Sequence, residues 1–477
     1  MACTAYSPDL SPAERARFLY DAIPPGLFKV ENAEDRIAWR ISPEPFALDP
    51  ATIEKLEVIG RDLAAFYRAL NSLYNRSARG TAPAFIAEYL DRGKPEHVVR
   101  LARQNRFKQD LPAIIRPDLI MTDDGFAAAE LDSVPGGMGF VGAMAEAYCN
   151  LGMEAVGGTY GIPEGFAAAM RAQSGKEKPI VAIVVSEESA DYRAELGWLA
   201  ETLRKRELLD AYVVAPQDIV FTEDALFMRL EDGREEKLDV IYRNFEMFDL
   251  LNVPKQELLL YAARHNRVKM SPPPKANLEE KLAFALFHHP MLAKLWQAEL
   301  GKDAFARLAR IFPQTWVIDA RPLPPQAVIY GLEAGGLPIN DWMALAELGK
   351  SERDFVVKPS GFSELAWGSK GVKVANDLTK DEWVLTLSEA LRDAEKTPRI
   401  LQRFHKGRRL RQEYFDREKG EIRSFDGRVR LCPYYFVAGD DAKLGGILAT
   451  IAPADKRLIH GMSDAVMAPS WSKPGGA

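Results

Sequence analysis

The sequence predicts a mixed α/β protein, and three observations carry that prediction. Apolar positions recur at helical spacing near the amino terminus, a charged hairpin pattern follows at residues 116 to 132, and short continuous apolar runs begin beyond residue 178. The helical signal falls between Pro50 and Leu73, where Ile53, Leu56, Ile59, Leu63, Phe66 and Leu70 repeat on one helix face. Residues 12 to 112 therefore read mostly as helix. With 477 residues the chain exceeds one ordinary core, so two or three domains, or one large composite fold, are expected.

Residues 116 to 132 read as two strands joined at Asp123-Asp124-Gly125, a three-residue loop whose glycine accepts positive φ. That loop sets Thr122 opposite Phe126, Asp118 opposite Glu130 and Arg116 opposite Asp132. Because side chains alternate along a strand, these charges share one face, while Leu119, Met121, Ala127, Ala129 and Leu131 share the other. A two-residue turn would shift the register by one and scatter them. Three carboxylates facing one another repel unless a cation sits among them, and Arg116 offsets one charge. Oxygen ligands of this kind suit Mg²⁺ held against a nucleotide phosphate; the plain alternative is an exposed hairpin with solvated acids.

Ser133-Val-Pro-Gly-Gly-Met-Gly then leads into a helix near 140 to 150, its glycines serving a tight turn or close approach to a phosphate. The run Pro179 to Val185 has the texture of a buried parallel strand. A helix from about Asp191 to Leu209, a strand at Ala211 to Ala215, a hairpin from Asp218 to Phe245 turning at Asp232-Gly233, and a strand at Val268 to Met270 complete a small α/β unit. Ser271-Pro-Pro-Pro-Lys closes it as a stiff connector. Helix returns over 277 to 312, Ala320 to Pro325 marks a break, and strands dominate from Asp354 onward. The expected division is 1–112, largely helical; 113–177, carrying the acidic motif; 178–271, the small α/β unit; 272–470, carrying the lysines and a glycine-rich loop; and a frayed tail, 471–477.

A second cluster begins at Phe355-Val-Val-Lys358-Pro, a strand that delivers a lysine to a loop containing Ser360, Gly361, Ser363, Gly368, Ser369, Lys370 and Gly371, before the strand Val372 to Ala375. Such a loop can fold its backbone N–H groups over phosphate oxygens beside the lysine's point charge, or can be a plain hairpin with a surface lysine. Ile400-Leu-Gln402-Arg-Phe404 offers a strand edge whose backbone is suited to pairing with an adenine. Arg428 and Arg430 lie two residues apart on one strand face, suited to phosphates or carboxylates.

Composition narrows the classes. The hydrophobic share is 47%, the charged share 27%, and 62 Lys plus Arg against 68 Asp plus Glu give a net charge of −6, no electrostatic footprint for nucleic acid. The basic run Lys406-Gly-Arg-Arg-Leu-Arg411 reads first as a solvated loop. The amino terminus lacks the pattern of a secretory signal and no stretch of 18 apolar residues follows, so a cytosolic protein without membrane partners is expected. Cys3, Cys149 and Cys432 are far apart and odd in number, which argues against a disulfide framework or clustered zinc. Cys432 lies in an apolar strand-like run, where packing explains it.

Taken together, these pieces resemble the ATP-grasp superfamily and, within it, the synthetase domain of glutathionylspermidine synthetase. The acidic pattern of that group, Arg-x-Asp and then Glu-x-Asn, is matched by Arg116-Pro-Asp118 and Glu130-Leu-Asp132, the last position departing from Asn to Asp. The resemblance implies an ATP-grasp-like fold in rearranged order, with an inserted small α/β pre-ATP-grasp-like domain and a helical amino-terminal region. It implies Mg²⁺ on Asp118, Glu130 and Asp132, and ATP on Lys281, Lys358, Ser360, Gly361, Gly368, Ser369, Gly371 and the hinge Gln402. Glu280-Lys281 resembles the family's Asn-Lys pair, and Gly445-Gly446-Ile447 resembles its closing strand. Arg116, with Arg428 or Arg430, is expected to stabilise transferred charge. The implied activity is an ADP-forming carboxylate–amine ligase acting on small molecules through an acyl phosphate. A nucleotide-binding module without catalysis, or a kinase that stops at phosphoryl transfer, shares the same residues.

Overall fold

A computed structural model of the protein describes residues 3, 10–28, 37, 39–230, 232–324, 326–369 and 371–473. The chain divides into two compact units: Met1–Ala64, Asp110–Pro274 and Gly407–Ala477 form the first, and Ala65–Gln109 with Lys275–Lys406 the second. The boundary near residue 64 falls inside the helix Pro50–Ala78, and the one near 274 inside the expected proline connector. The division differs from the expected one because the carboxy-terminal strands group with the acidic hairpin rather than with the lysine-bearing segment.

In the first unit, among the described residues, a seven-stranded sheet runs in the order Phe46–Leu48, Val466–Ser472, Asp441–Pro453, Glu421–Ala438, Ile114–Thr122, Gly125–Asp132, with Leu410–Asp416 also paired to Glu421–Ala438. A parallel sheet has the order Lys269–Ser271, Val240–Asn244, Ile180–Val185, Asp210–Val214. Residues 181–185 are all fully buried, as the continuous apolar run requires. Helices Met138–Cys149, Gly161–Ser174 and Arg193–Lys205 share one core with both sheets, including Met144, Phe166, Leu199, Ile183, Tyr242 and Tyr434. A helix buried nearly all round must be apolar nearly all round, and Met138–Cys149 is.

The Gly445-Gly446 pair has a packing cause. Tyr434 pairs with Gly446 and Tyr435 with Leu444, so Gly445 is the extra residue of a bulge. There the strand lies against the start of helix Gly161–Ser174, and a Cβ on Gly161 would collide with the carbonyl oxygen of Gly445.

Three expectations need correction in this unit. The segment 218–245 is not one hairpin: Ile219–Phe221, Leu226–Arg229 and Glu235–Lys237 form a small antiparallel meander, and Val240–Asn244 leaves it for the parallel sheet. Its five residues are buried, which a surface hairpin cannot provide. The expected small domain 178–271 shares its core with the acidic-motif segment instead of standing apart. Cys3 and Cys149 are joined by a disulfide, with the Thr159 hydroxyl 2.9 Å from the Cys149 sulfur. Distance along the chain carries no information about this pairing, which depends on how close the fold brings the two residues.

In the second unit, among the described residues, strands Thr315–Ile318, Arg399–Arg403, Phe355–Pro359 and Lys373–Val374 form an antiparallel sheet in that order. Trp316, Phe355, Trp383, Leu387 and Leu401 pack one side of it. The helix Lys380–Arg392 interrupts the expected run of strands, and its signal was present: Thr379 and Glu382 form a capping box. Among the described residues no helix is long and apolar enough to cross a membrane. Glu231, Pro325 and the end of the tail, 474–477, lie outside the described residues.

Gly161→Ala should lower the unfolding free energy by about 1–3 kcal/mol, because the carbonyl of Gly445 is backbone and cannot step aside cheaply. Denaturant titration of wild type and variant checks this, and an unchanged midpoint would contradict the close approach.

Candidate active site

In the first unit the charged hairpin forms with the expected pairs, Arg116 opposite Asp132 and Asp118 opposite Glu130, by a different route. Thr122 pairs with Gly125, so the turn holds two residues, Asp123 and Asp124. A bulge between Asp118 and Leu119, where Leu119 pairs with Ala128, then absorbs the one-residue shift. The turn that alone would have scattered the charges is compensated within the same hairpin.

The charges sit in a buried network. Arg116 Nε lies 3.2 Å from Asp118 Oδ1 and its Nη2 3.1 Å from Asp132 Oδ2, while Nη1 donates to the carbonyl of Gly136 at 3.0 Å. Arg430, on the neighbouring strand Glu421–Ala438, reaches Asp118 Oδ2 at 2.8 Å, and the Cys432 thiol donates to Oδ1 at 3.3 Å. Burial pushes the Asp118 carboxyl up, but Arg430 and Arg116 more than offset it and hold it below the usual range. Asp132 goes the other way: burial, only partly offset by Arg116 and reinforced by Glu130, pushes it up to about 6. Burial beside Asp118 raises the Cys432 thiol to about 12, which keeps it a neutral donor.

This arrangement does not fit the expected magnesium site. Among the described residues no three acidic, histidine or cysteine side chains converge so as to hold a metal ion. Both Asp118 oxygens are taken by guanidinium and thiol donors, so Asp118, Glu130 and Asp132 are not a ready ligand set. The cation that relieves the repulsion is arginine, supplied twice.

The glycine-rich turn Ser133–Gly139 resolves as a turn closed by a carboxylate. Glu195, on the neighbouring helix, accepts from the backbone N–H of Gly137 at 2.8 Å and from that of Gly139, at the head of helix Met138–Cys149. Those N–H groups are the ones a phosphate would have used. Side chains at Gly136 or Gly139 would collide with Tyr192 or with the Glu195 backbone. Burial raises the Glu195 carboxyl to about 7 against the pull of these N–H groups. No sequence pattern links residue 195 to 137, so this partner was invisible beforehand.

The second unit holds the expected lysines. Lys358, on Phe355–Pro359, is buried and its Nζ donates to Gln402 Oε1 at 2.8 Å, while Gln402 Nε2 donates to Thr315 Oγ1 at 3.2 Å. Arg399–Arg403 is an interior strand paired on both sides, so its backbone is not a free edge for an adenine; Gln402 acts through its side chain. Lys281, at the head of helix Leu282–His288, donates to the carbonyl of Ala366 within the glycine-rich loop at 3.0 Å.

Glu280 anchors the start of that loop. Its Oε1 accepts from Ser360 Oγ at 2.6 Å, its Oε2 accepts from the Gly361 N–H at 3.3 Å, and Lys94 forms a buried ion pair with it. A Cβ at Gly361 would collide with the carbonyl of Glu279, so only glycine permits this approach. The Gly371 N–H donates to the carbonyl of Leu365 at 2.9 Å. Ser360, Gly361 and Gly371 thus spend their donors holding the loop in this arrangement. Gly368 and Ser369 belong to the 3₁₀ turn Glu364–Ser369, and Lys370 lies outside the described residues.

The two arginines expected together part company. Arg430 joins Arg116 on Asp118, whereas Arg428 donates to the carbonyl of Lys456 at 3.2 Å.

No family model matches the sequence, and no curated protein does. Among solved structures the chain is similar to a glutathione synthetase-like effector from Globodera pallida in its apo form, at 11% identity and a TM-score of 0.57, over 98% of each chain. It also aligns, at 12% identity and a TM-score of 0.37 over 84% of this chain and 86% of the other, with a protein from Methylobacillus flagellatus KT provisionally assigned as a gamma-glutamylcysteine synthetase, too distantly to carry an argument. The likeness to the effector is one of fold: the chain shares its mixed α/β architecture.

Two outcomes follow from the buried carboxylates. Glu195 carries a raised folded pKa, so its stabilising contribution is complete below about pH 4.5 and is lost as pH rises through about 7. Wild type should therefore lose roughly 2 kcal/mol between pH 5 and 8 that Glu195→Gln does not lose, read by denaturant titration at each pH; parallel profiles would contradict it. Lys94→Met should cost about 3–5 kcal/mol, because it strands the buried Glu280 charge, and Lys94→Met/Glu280→Gln should recover much of that loss. Equal losses in the single and double variants would contradict the pairing.

Proposed function

We propose that the chain is an ATP-dependent ligase that activates a carboxylate. In such a reaction a carboxylate oxygen attacks the γ-phosphorus of ATP, ADP leaves, and an amine then displaces phosphate from the acyl phosphate to form an amide. The observation that carries this reading is the pair of lysines in the second unit. Lys358 donates to the Gln402 amide oxygen, and Lys281 donates to a carbonyl of the adjoining loop. A phosphate oxygen is a stronger acceptor for an ammonium group than either neutral oxygen, so nucleotide can displace these contacts and release the loop segment that Lys281 holds. The fold shared with a synthetase-like protein agrees with the reading.

A metal brought by the nucleotide is given no step, because the acidic hairpin does not offer it a ligand set. A second reading, a nucleotide-binding module without catalysis, is favoured by one observation: Arg116 and Arg430 are spent on Asp118 rather than held for a reacting phosphate.

Calorimetric titration with ATP should show binding to wild type, weakened about 10- to 100-fold in Lys358→Met and in Lys281→Met. The ligase reading further expects ADP to accumulate only when a carboxylate and an amine are supplied together. Binding without ADP release across a broad substrate panel would leave the binding-module reading, and absence of ATP binding would remove both.

A further inference from the structure

The basic run Lys406–Arg411 and the strand arginine Arg428 meet in a place the proposed reaction does not use. Arg428 is only 6% exposed. Its Nη1 donates to the carbonyl of Lys456, while its Nε is buried and makes no hydrogen bond. Among the described residues Arg428 forms no ion pair, unlike Arg430 two positions along the same strand face.

The segments on either side of Arg428 bring two further arginines near it. A Cβ on Gly407 would lie 3.3 Å from Arg428 Cβ and Cδ, so the chain at residue 407 passes directly against the arginine stem, two residues before Arg409. The Arg408 N–H donates to the Met121 carbonyl at 2.9 Å, which fixes that passage against the hairpin. On the other side, the turn that offers the Lys456 carbonyl continues into Arg457. Arg409 and Arg457 are both exposed. Burial, then Arg409 and Arg457, depress the Arg428 proton affinity, and Asp455 opposes them with a smaller effect.

We propose that Arg428, Arg409 and Arg457 form a binding site for a small oxyanion, a phosphate or carboxylate group borne by a soluble ligand. A buried guanidinium costs free energy unless a charged partner completes it, and planar N–H forks match phosphate and carboxylate oxygens. The two exposed arginines stand where an incoming anion would be met from solvent. Asp426, Asp455 and Asp464 border the patch, and Arg411 and Lys456 are within ion-pair distance of Asp426 and Asp464. A long polyanion such as nucleic acid would run onto these acids, whereas a compact anion would not. The site does not depend on whether the chain turns over nucleotide.

The test uses the full chain, titrated calorimetrically at low salt with inorganic phosphate and, separately, with citrate. Wild type should bind at least one of them. Arg409→Ala/Arg457→Ala, altered only at exposed positions, and Arg428→Met should each weaken that binding by about tenfold or more. Lys176→Ala/Lys205→Ala removes the same two charges at other exposed positions and should change affinity by no more than about twofold. If Arg428→Met does not fold, the surface double variant decides. Tighter binding of phosphate would assign a phosphorylated ligand, and tighter binding of citrate a carboxylate ligand. Failure of wild type to bind either, or equal weakening in the control variant, overturns the proposal.

Discussion

The carboxylate of Asp118, buried between Arg116 and Arg430, is the constraint on which the first unit depends. It ties the hairpin Ile114–Asp132 to the long strand Glu421–Ala438, which arrives from the far end of the sequence. An ionised carboxylate can be buried there only because two guanidiniums and a thiol complete its hydrogen bonds, and the depressed Asp118 pKa reports that balance. The arginines would in turn be stranded charges without it. The raised Cys432 thiol belongs to this one buried centre, and the register shift of the hairpin falls beside it.

Much of this was legible in the sequence because period and charge are local signals. The parallel strand Ile180–Val185 announced itself by being apolar at every position, and the pairing of Arg116 with Asp132 by alternation along two strands. What stayed hidden was non-local. Alternation could not show that a two-residue turn and a bulge would cancel, nor that Arg430 would take an oxygen that a metal was expected to hold. The carboxylate that fills the glycine-rich turn, Glu195, lies 58 residues from Gly137 and belongs to no pattern with it. Gln402 was expected on a strand edge and lies on an interior strand, since the two look alike in composition until their partners are known.

The second unit shows how a loop of small residues acquires a defined shape. Glu280 gathers the Ser360 hydroxyl, the Gly361 amide and the Lys94 ammonium, and Lys281 next to it holds the Ala366 carbonyl further along. Consecutive residues on one turn therefore fix two points of the loop, one through a buried ion pair and one through a lysine whose acceptor is neutral. The first contact is a buried ion pair whose loss strands a charge, and the second joins a charged donor to a neutral carbonyl, so the two points of the loop are held by interactions of different kinds.

The most direct measurement is amide hydrogen exchange read by mass spectrometry on peptides covering residues 355–373, with and without ATP. The account predicts that ATP slows exchange across this loop in wild type and that the effect is lost in Lys281→Met, while the anchored Ser360-Gly361 start is already slow in both. Exchange in this segment that ATP leaves unchanged, in a protein that nonetheless binds ATP elsewhere, would contradict it.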